Sequence, residues 1–113
     1  MVKDMAAVKS LKEILTESVS KNEKDQKLIT EAYEFAREAH EKHSRYSGEP
    51  YFLHVAEVGY QLAHAGMDAQ AISAGLLHDT IEDAGATEET ICERFGEEVL
   101  ALVDGVTKLG ALR

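Results

Sequence analysis

The 113-residue sequence holds one cysteine, Cys92, and one proline, Pro50. A lone cysteine excludes an internal disulfide and makes a reducing, cytoplasmic setting the expectation. With one proline and no segment alternating polar and apolar residues long enough for a strand, the chain reads as helices throughout. Positive charge is scarce: 12 Lys and Arg face 21 Asp and Glu, a net charge of -9. Such a surface argues against a general nucleic-acid binder or a partner of anionic membranes. A small anionic ligand stays open, because one metal ion reverses the local field. No apolar run approaches the roughly 20 residues of a membrane span. Lys9 and Lys12 interrupt the N-terminal stretch too early for a signal peptide. The sequence has neither an internal repeat nor a low-complexity segment.

Hydrophobic residues nevertheless make up 44% and charged residues 29%, the balance of one globular domain. Apolar spacing predicts about six helices. Met5, Val8, Leu11, Leu15 and Val19 form a narrow stripe at intervals of three and four. SVSKNEKDQ (18–26) breaks it and reads as a linker. A stronger stripe follows through Leu28, Ile29, Ala32, Tyr33, Phe35, Ala36 and Ala39, ending near His43 before the turn-rich SRYSGEPY (44–51). A third helix is expected from Phe52 to Ala65, stopped by Gly66. Asp68 is a candidate N-cap for a fourth, AQAISAGLLHDTIED (69–83), running to Gly85. Positions 71–77 are apolar on almost every side, which marks it as the central buried helix. Thr87 and Thr90 make a partial capping box for a fifth. A sixth carries Val99, Leu102, Val103 and Val106, with Leu109 and Leu112 extending the stripe.

The densest polar cluster is His78-Asp79-Thr80-Ile81-Glu82-Asp83, at the end of the most apolar helix. On a helix, these four charged or imidazole side chains fall within an arc of about 140°. A histidine and three carboxylates there are expensive unless something positive compensates them. A divalent cation would do so; the alternative is a helix end that has reached water. His54 opens the third helix and is either a capping residue or a ligand, depending on whether that helix packs beside the fourth. His40 reads as buried, His43 and His64 as exposed, and Cys92 as a packing residue. Arg45, Tyr46, Ser47 and Gly48 form the one locally basic turn, with Arg37 and Lys42 upstream. Arg45 offers either helix-end charge compensation or a planar fork for phosphate and base.

Together these stretches resemble the hydrolase domain of the RelA/SpoT homologue family, within the HD-domain metal-dependent phosphohydrolases. The likeness is carried by AYEFAREAHEKHSRYSGEPYFLH (32–54), AISAGLLHDTIEDAGAT (71–87) and ERFGEEVLALVDGVTKLG (93–110). The resemblance implies an all-α HD-domain helical bundle that removes pyrophosphate from the 3′ position of guanosine tetra- and pentaphosphate with Mn²⁺. It implies His54, His78 and Asp79 as metal ligands and Glu82 and Asp83 as the acidic pair that places and activates water. It further implies Arg45 and Ser47 as nucleotide-binding residues. On this reading residues 1–25 are an N-terminal amphipathic helix and linker, and 26–113 the hydrolase domain.

The sequence also departs from the family pattern. Tyr46 stands where a basic residue is common, His43 where glutamine is frequent, and Val55 where proline often follows the histidine. The family's fourth ligand is an aspartate of a later ADRLHN-like motif, and no segment here matches it. Asp104 belongs to VDGVTKL and is not promoted to that role. The expectation is therefore a domain incomplete at its C-terminus, a truncated product or fragment, with weakened metal affinity. The uncovered stripe of the last helix is then expected to support a homodimer or larger assembly. The rival readings are a non-catalytic nucleotide-binding or regulatory module and a structural remnant that binds neither metal nor nucleotide.

Overall fold

The computed structural model describes residues 10–42, 51–78, 80–83 and 86–112, with the side chains of 42, 51–54, 82–83 and 106–112 outside that description. Every regular element among them is helical: α1 (Leu11–Glu17), α2 (Glu23–Lys42), α3 (Tyr51–His64), α4 (Ala69–Leu77), α5 (Thr80–Asp83), α6 (Glu88–Phe95) and α7 (Glu97–Leu112). This is the all-α bundle the apolar periodicity predicts. Met5 and Val8 of the first stripe lie outside the described residues.

Local chemistry sets most of the boundaries. Ser10 and Glu13 close a reciprocal capping box at the start of α1. Asp68 accepts from the Ala71 N–H at 2.9 Å and starts α4, as its position predicts. Thr87 accepts from the Thr90 N–H at 3.1 Å and starts α6. After α3 the chain turns at Gly66, whose φ is +84°. Its N–H donates to the Ala63 carbonyl, and that of Met67 donates to the Leu62 carbonyl. These are the two bonds of a Schellman stop, and the left-handed φ explains the glycine.

The central helix is α4. Ile72, Ser73, Ala74, Gly75, Leu76 and Leu77 are all buried, and α4 packs against α2, α3 and α7. Ile14 of α1, Ile29 and Ala32 of α2, Val55 and Ala63 of α3, Ile91 of α6 and Val99 and Val103 of α7 complete one core. Phe35 and Phe95 meet edge to face at 5.5 Å, and the Arg94 guanidinium lies 5.1 Å over Phe35, tying α6 to α2.

Three expectations are corrected. SVSKNEKDQ was expected to be a linker through residue 26, but α2 already begins at Glu23. The fourth helix was expected to run unbroken from 69 to 83, but α4 stops at Leu77 and α5 starts at Thr80. The Thr80 hydroxyl donates to the Leu77 carbonyl at 2.7 Å, so a side chain takes up an acceptor near the helix end. Val19 was placed on the first apolar stripe, but it lies beyond the Ser18 C-cap and is 65% exposed. Lys21 is the reason α1 ends there: its ammonium donates to the Thr16 carbonyl at 2.6 Å and to the Leu15 and Ser18 carbonyls, closing the helix end.

Candidate active site

The site depends on how α3 and α4 pair. The four-residue link 65–68 turns the chain back, and two glycines let the helices close. A Cβ on Gly59 of α3 would meet Leu76 Cδ2 at 2.6 Å, and one on Gly75 of α4 would meet Leu62 Cδ1 at 2.3 Å. Position 59 thus lies beside 76, and 62 beside 75, an antiparallel register. The start of α3, with His54, therefore shares an end of the pair with the finish of α4, with His78. This is the packing on which a ligand role for His54 depends. The His54 side chain lies outside the described residues.

His78 is the C-cap of α4 and half-buried. Its Nδ1 lies 2.7 Å from the Gly75 carbonyl oxygen. A carbonyl only accepts, so Nδ1 carries the hydrogen and the neutral ring's lone pair sits on Nε2. Metal-bound histidines are commonly oriented by this kind of bond from the other ring nitrogen. The imidazole donor at His78 therefore fits a divalent transition-metal ion.

Immediately downstream, Thr80 is fully buried and Ile81 packs against the core. The Ala86 N–H donates to the Thr80 carbonyl at 3.0 Å, which holds Ala86 against the start of α5. This short helix rests against α2 and carries Glu82 and Asp83 at its last two positions. Asp79, Arg45 and Ser47 lie outside the described residues, as do the side chains of Glu82 and Asp83. Among the described residues no three His, Cys, Asp or Glu side chains form a metal-binding group. Sequence reasoning missed the glycines and Thr80. The signal available for the glycines was a residue without a side chain in each of two adjacent apolar helices.

The remaining histidines follow their expected burial where they are described. His40 is 5% exposed on α2. His64 is exposed at the end of α3, with Nδ1 2.8 Å from Glu17 Oε2, and stacks on Tyr60. His64 stands at the far end of α3, away from the His78 end of α4 in the register above. Cys92 is a free, half-buried thiol on α6.

A family model described as "HD domain" matches residues 32–113. The chain belongs to the HD-domain family. Within it, the relatives are of the RelA/SpoT kind. The chain is 48% identical over 104 residues to the guanosine-3′,5′-bis(diphosphate) 3′-pyrophosphohydrolase of Aquifex aeolicus, covering 92% of this chain and 15% of that one. It is 51% identical over 85 residues to the GTP pyrophosphokinase of Myxococcus xanthus, covering 75% and 11%. It is 45% identical over 87 residues to the bifunctional (p)ppGpp synthase/hydrolase SpoT of Escherichia coli, covering 77% and 12%. The chain thus spans only a small part of the length of these relatives. The HD domain stretches from α2 to α7, so the His78 end of the α3–α4 pair lies inside the matched segment. Among the described residues no helix is long and apolar enough to cross a membrane.

Proposed function

We propose that this HD domain is a (p)ppGpp 3′-pyrophosphohydrolase domain of RelA/SpoT type, with residues 26–113 as the hydrolase proper, working in the cytoplasm. The observation that carries the reading is the coexistence of two intact acidic motifs, His78-Asp79 and Glu82-Asp83, in a chain so similar to named pyrophosphohydrolases. The relatives are named for both a synthetic and a hydrolytic activity. The chemistry of the residues favours hydrolysis: nucleophilic water needs a base and a cation, and these motifs offer carboxylate bases and ligands that would hold a cation.

His54, His78 and Asp79 would hold the divalent cation, with Mn²⁺ as the proposed ion. When bound, it lowers the pKa of water and offsets phosphate charge. Two imidazoles and one carboxylate suit that ion. The His78 ring is oriented in advance by the Gly75 carbonyl, which leaves Nε2 as the donor. Glu82 and Asp83, on the short helix after the HD pair, would position the attacking water and take its proton. Arg45 and Ser47 would hold the guanine nucleotide through a planar guanidinium and a hydroxyl. Tyr46 in the same turn removes one basic contact that relatives commonly have.

The test is pyrophosphate release from ppGpp with Mn²⁺, measured on the chain and on Glu82→Gln and Asp83→Asn. Each variant should lose about 10²-fold in rate, the scale of general acid–base help, while metal binding persists. Release at unchanged rate in both variants would remove the acidic pair from the mechanism. Nucleotide binding without any release would favour a non-catalytic module instead.

A further inference from the structure

An open groove of about 510 Å³ runs between the first half of α2 and the junction of α6 with α7. Gln70, near the start of α4, lines its inner end. His78 stands at the opposite end of α4, roughly 12 Å along the axis at 1.5 Å per residue. The groove is thus separate from the candidate active site, and the inference below does not rest on the function proposed above.

Its floor is apolar, with half-buried Leu28 and nearly buried Phe95. Its two walls differ in charge. The α2 wall offers the cations Lys24 and Lys27, and the α7 wall offers only anions, Glu97 and Glu98. Two further acids line the α2 side. Asp25 is engaged by the Ser20 hydroxyl at 2.6 Å, and Glu31 lies a turn beyond Lys27. Among the described residues Lys24, Lys27, Glu97 and Glu98 have no ion-pair partner. The glutamates sit in the first turn of α7, where the helix dipole favours them. Lys24 sits in the first turn of α2, where the dipole disfavours a cation, so it gains from an external carboxylate. One turn beyond Glu98 on the same face of α7, Leu102 is 41% exposed and extends the apolar ground.

The α2 wall carries both signs and the α7 wall only anions, so an anionic partner is repelled by Glu97 and Glu98 and a cationic one by Lys24 and Lys27. A partner with the same two walls in reversed order satisfies both, and a two-fold axis generates that from an identical chain. We propose that this groove is a self-association surface for a second copy of the chain. Each copy's Lys24–Lys27 wall faces the other's Glu97–Glu98 wall, with Leu28 and Leu102 at the seam. The start of the C-terminal helix is thus an interface element, and charge pairing sets the register. The floor exposes little apolar surface, so the dimer is weak and salt-sensitive.

Light scattering and sedimentation equilibrium across a concentration series test this on the intact chain. Wild type should pass from 12.4 kDa to twice that mass. Lys27→Glu and Glu98→Lys, both at exposed positions, should each weaken the dimer at least about tenfold, because like charges then face each other. The double variant Lys27→Glu with Glu98→Lys should restore it, since position 27 again faces an opposite charge at position 98 of the other copy while Lys24 and Glu97 are unchanged. Circular dichroism should show unchanged helix in all three. A wild-type chain that stays at 12.4 kDa overturns the proposal. So does association that either single reversal leaves intact, or that the double reversal fails to restore.

Discussion

Replacing Gly59 by alanine sets two opposed effects against each other, and the geometry decides between them. Alanine is favoured over glycine in a helix interior by about 1 kcal/mol, so a free site would gain stability. Gly59 is not a free site. The new Cβ would stand 2.6 Å from Leu76 Cδ2 and 3.0 Å from Leu76 Cγ, with Ile14 Cδ1 at 3.5 Å. Rotating the Leu76 methyl relieves the first contact but not the second, and Leu76 and Ile14 are both fully buried. Overpacking of this kind costs roughly 1–3 kcal/mol, and this contact belongs in the upper half, so the expected net loss is about 1–2 kcal/mol. Urea denaturation should show a lower midpoint with unchanged slope. Gly75→Ala is the control. Its Cβ would meet Leu62 Cδ1 at 2.3 Å, but Leu62 Cγ only at 3.7 Å and Val58 at 3.4 Å. Leu62 is half-buried, so its end can swing aside and the helix gain roughly cancels the cost. Leu76→Ala alone should cost about 2–5 kcal/mol through its cavity. Combined with Gly59→Ala it should cost less than the sum by about 1 kcal/mol or more, because the added methyl enters the vacated space. A Gly59→Ala variant as stable as wild type, or strict additivity in this pair, would refute the claim that this contact fixes the α3–α4 distance.

Two further outcomes are expected. Ser73 is fully buried and its hydroxyl has no hydrogen-bond partner among the described residues, so Ser73→Ala should leave stability equal or raise it by up to about 1 kcal/mol in the same urea assay. Burial, joined by the charge of Glu34, raises the Tyr33 hydroxyl above its ordinary 10.0, against smaller opposing effects from Arg37 and a backbone hydrogen bond at Leu11. The folded state then keeps a proton that the unfolded chain loses, so this contribution is intact below pH 10.0 and falls as pH rises through the folded value. Tyr33→Phe should flatten that alkaline loss in urea midpoints taken from neutral pH upward, and an identical pH profile in the variant would contradict the assignment.

The helices were legible in the sequence because their signals are local. Apolar residues at intervals of three and four, Asp68 before an apolar run and Gly66 after one act within a turn or two of the chain. The break at His78 was not legible. AQAISAGLLHDTIED has continuous helical character, and the interruption is marked by one hydroxyl, Thr80, bonding the Leu77 carbonyl. Threonine makes that bond in many helices without ending them, so composition alone does not announce it. Val19 was misplaced for a similar reason: its spacing continued the stripe, but Lys21, two residues on, closes the helix end at Ser18.

The candidate site divides along the same line. Its residue types stood in three short motifs, and their chemistry could be named without a fold. What brings the first motif to the second is a contact between residues with almost no chemistry of their own. Gly59 and Gly75 lie sixteen positions apart and carry no charge, cap or donor, yet they bring α3 close enough to α4 for His54 to share an end of the pair with His78. Gly75 then has a second role, because its carbonyl accepts from His78 Nδ1 and fixes which ring nitrogen keeps the lone pair. Close approach and ligand orientation thus meet at one residue without a side chain. The ligand motif records which atoms could bind a cation. The glycines determine whether the helices that carry them stand near enough to do so.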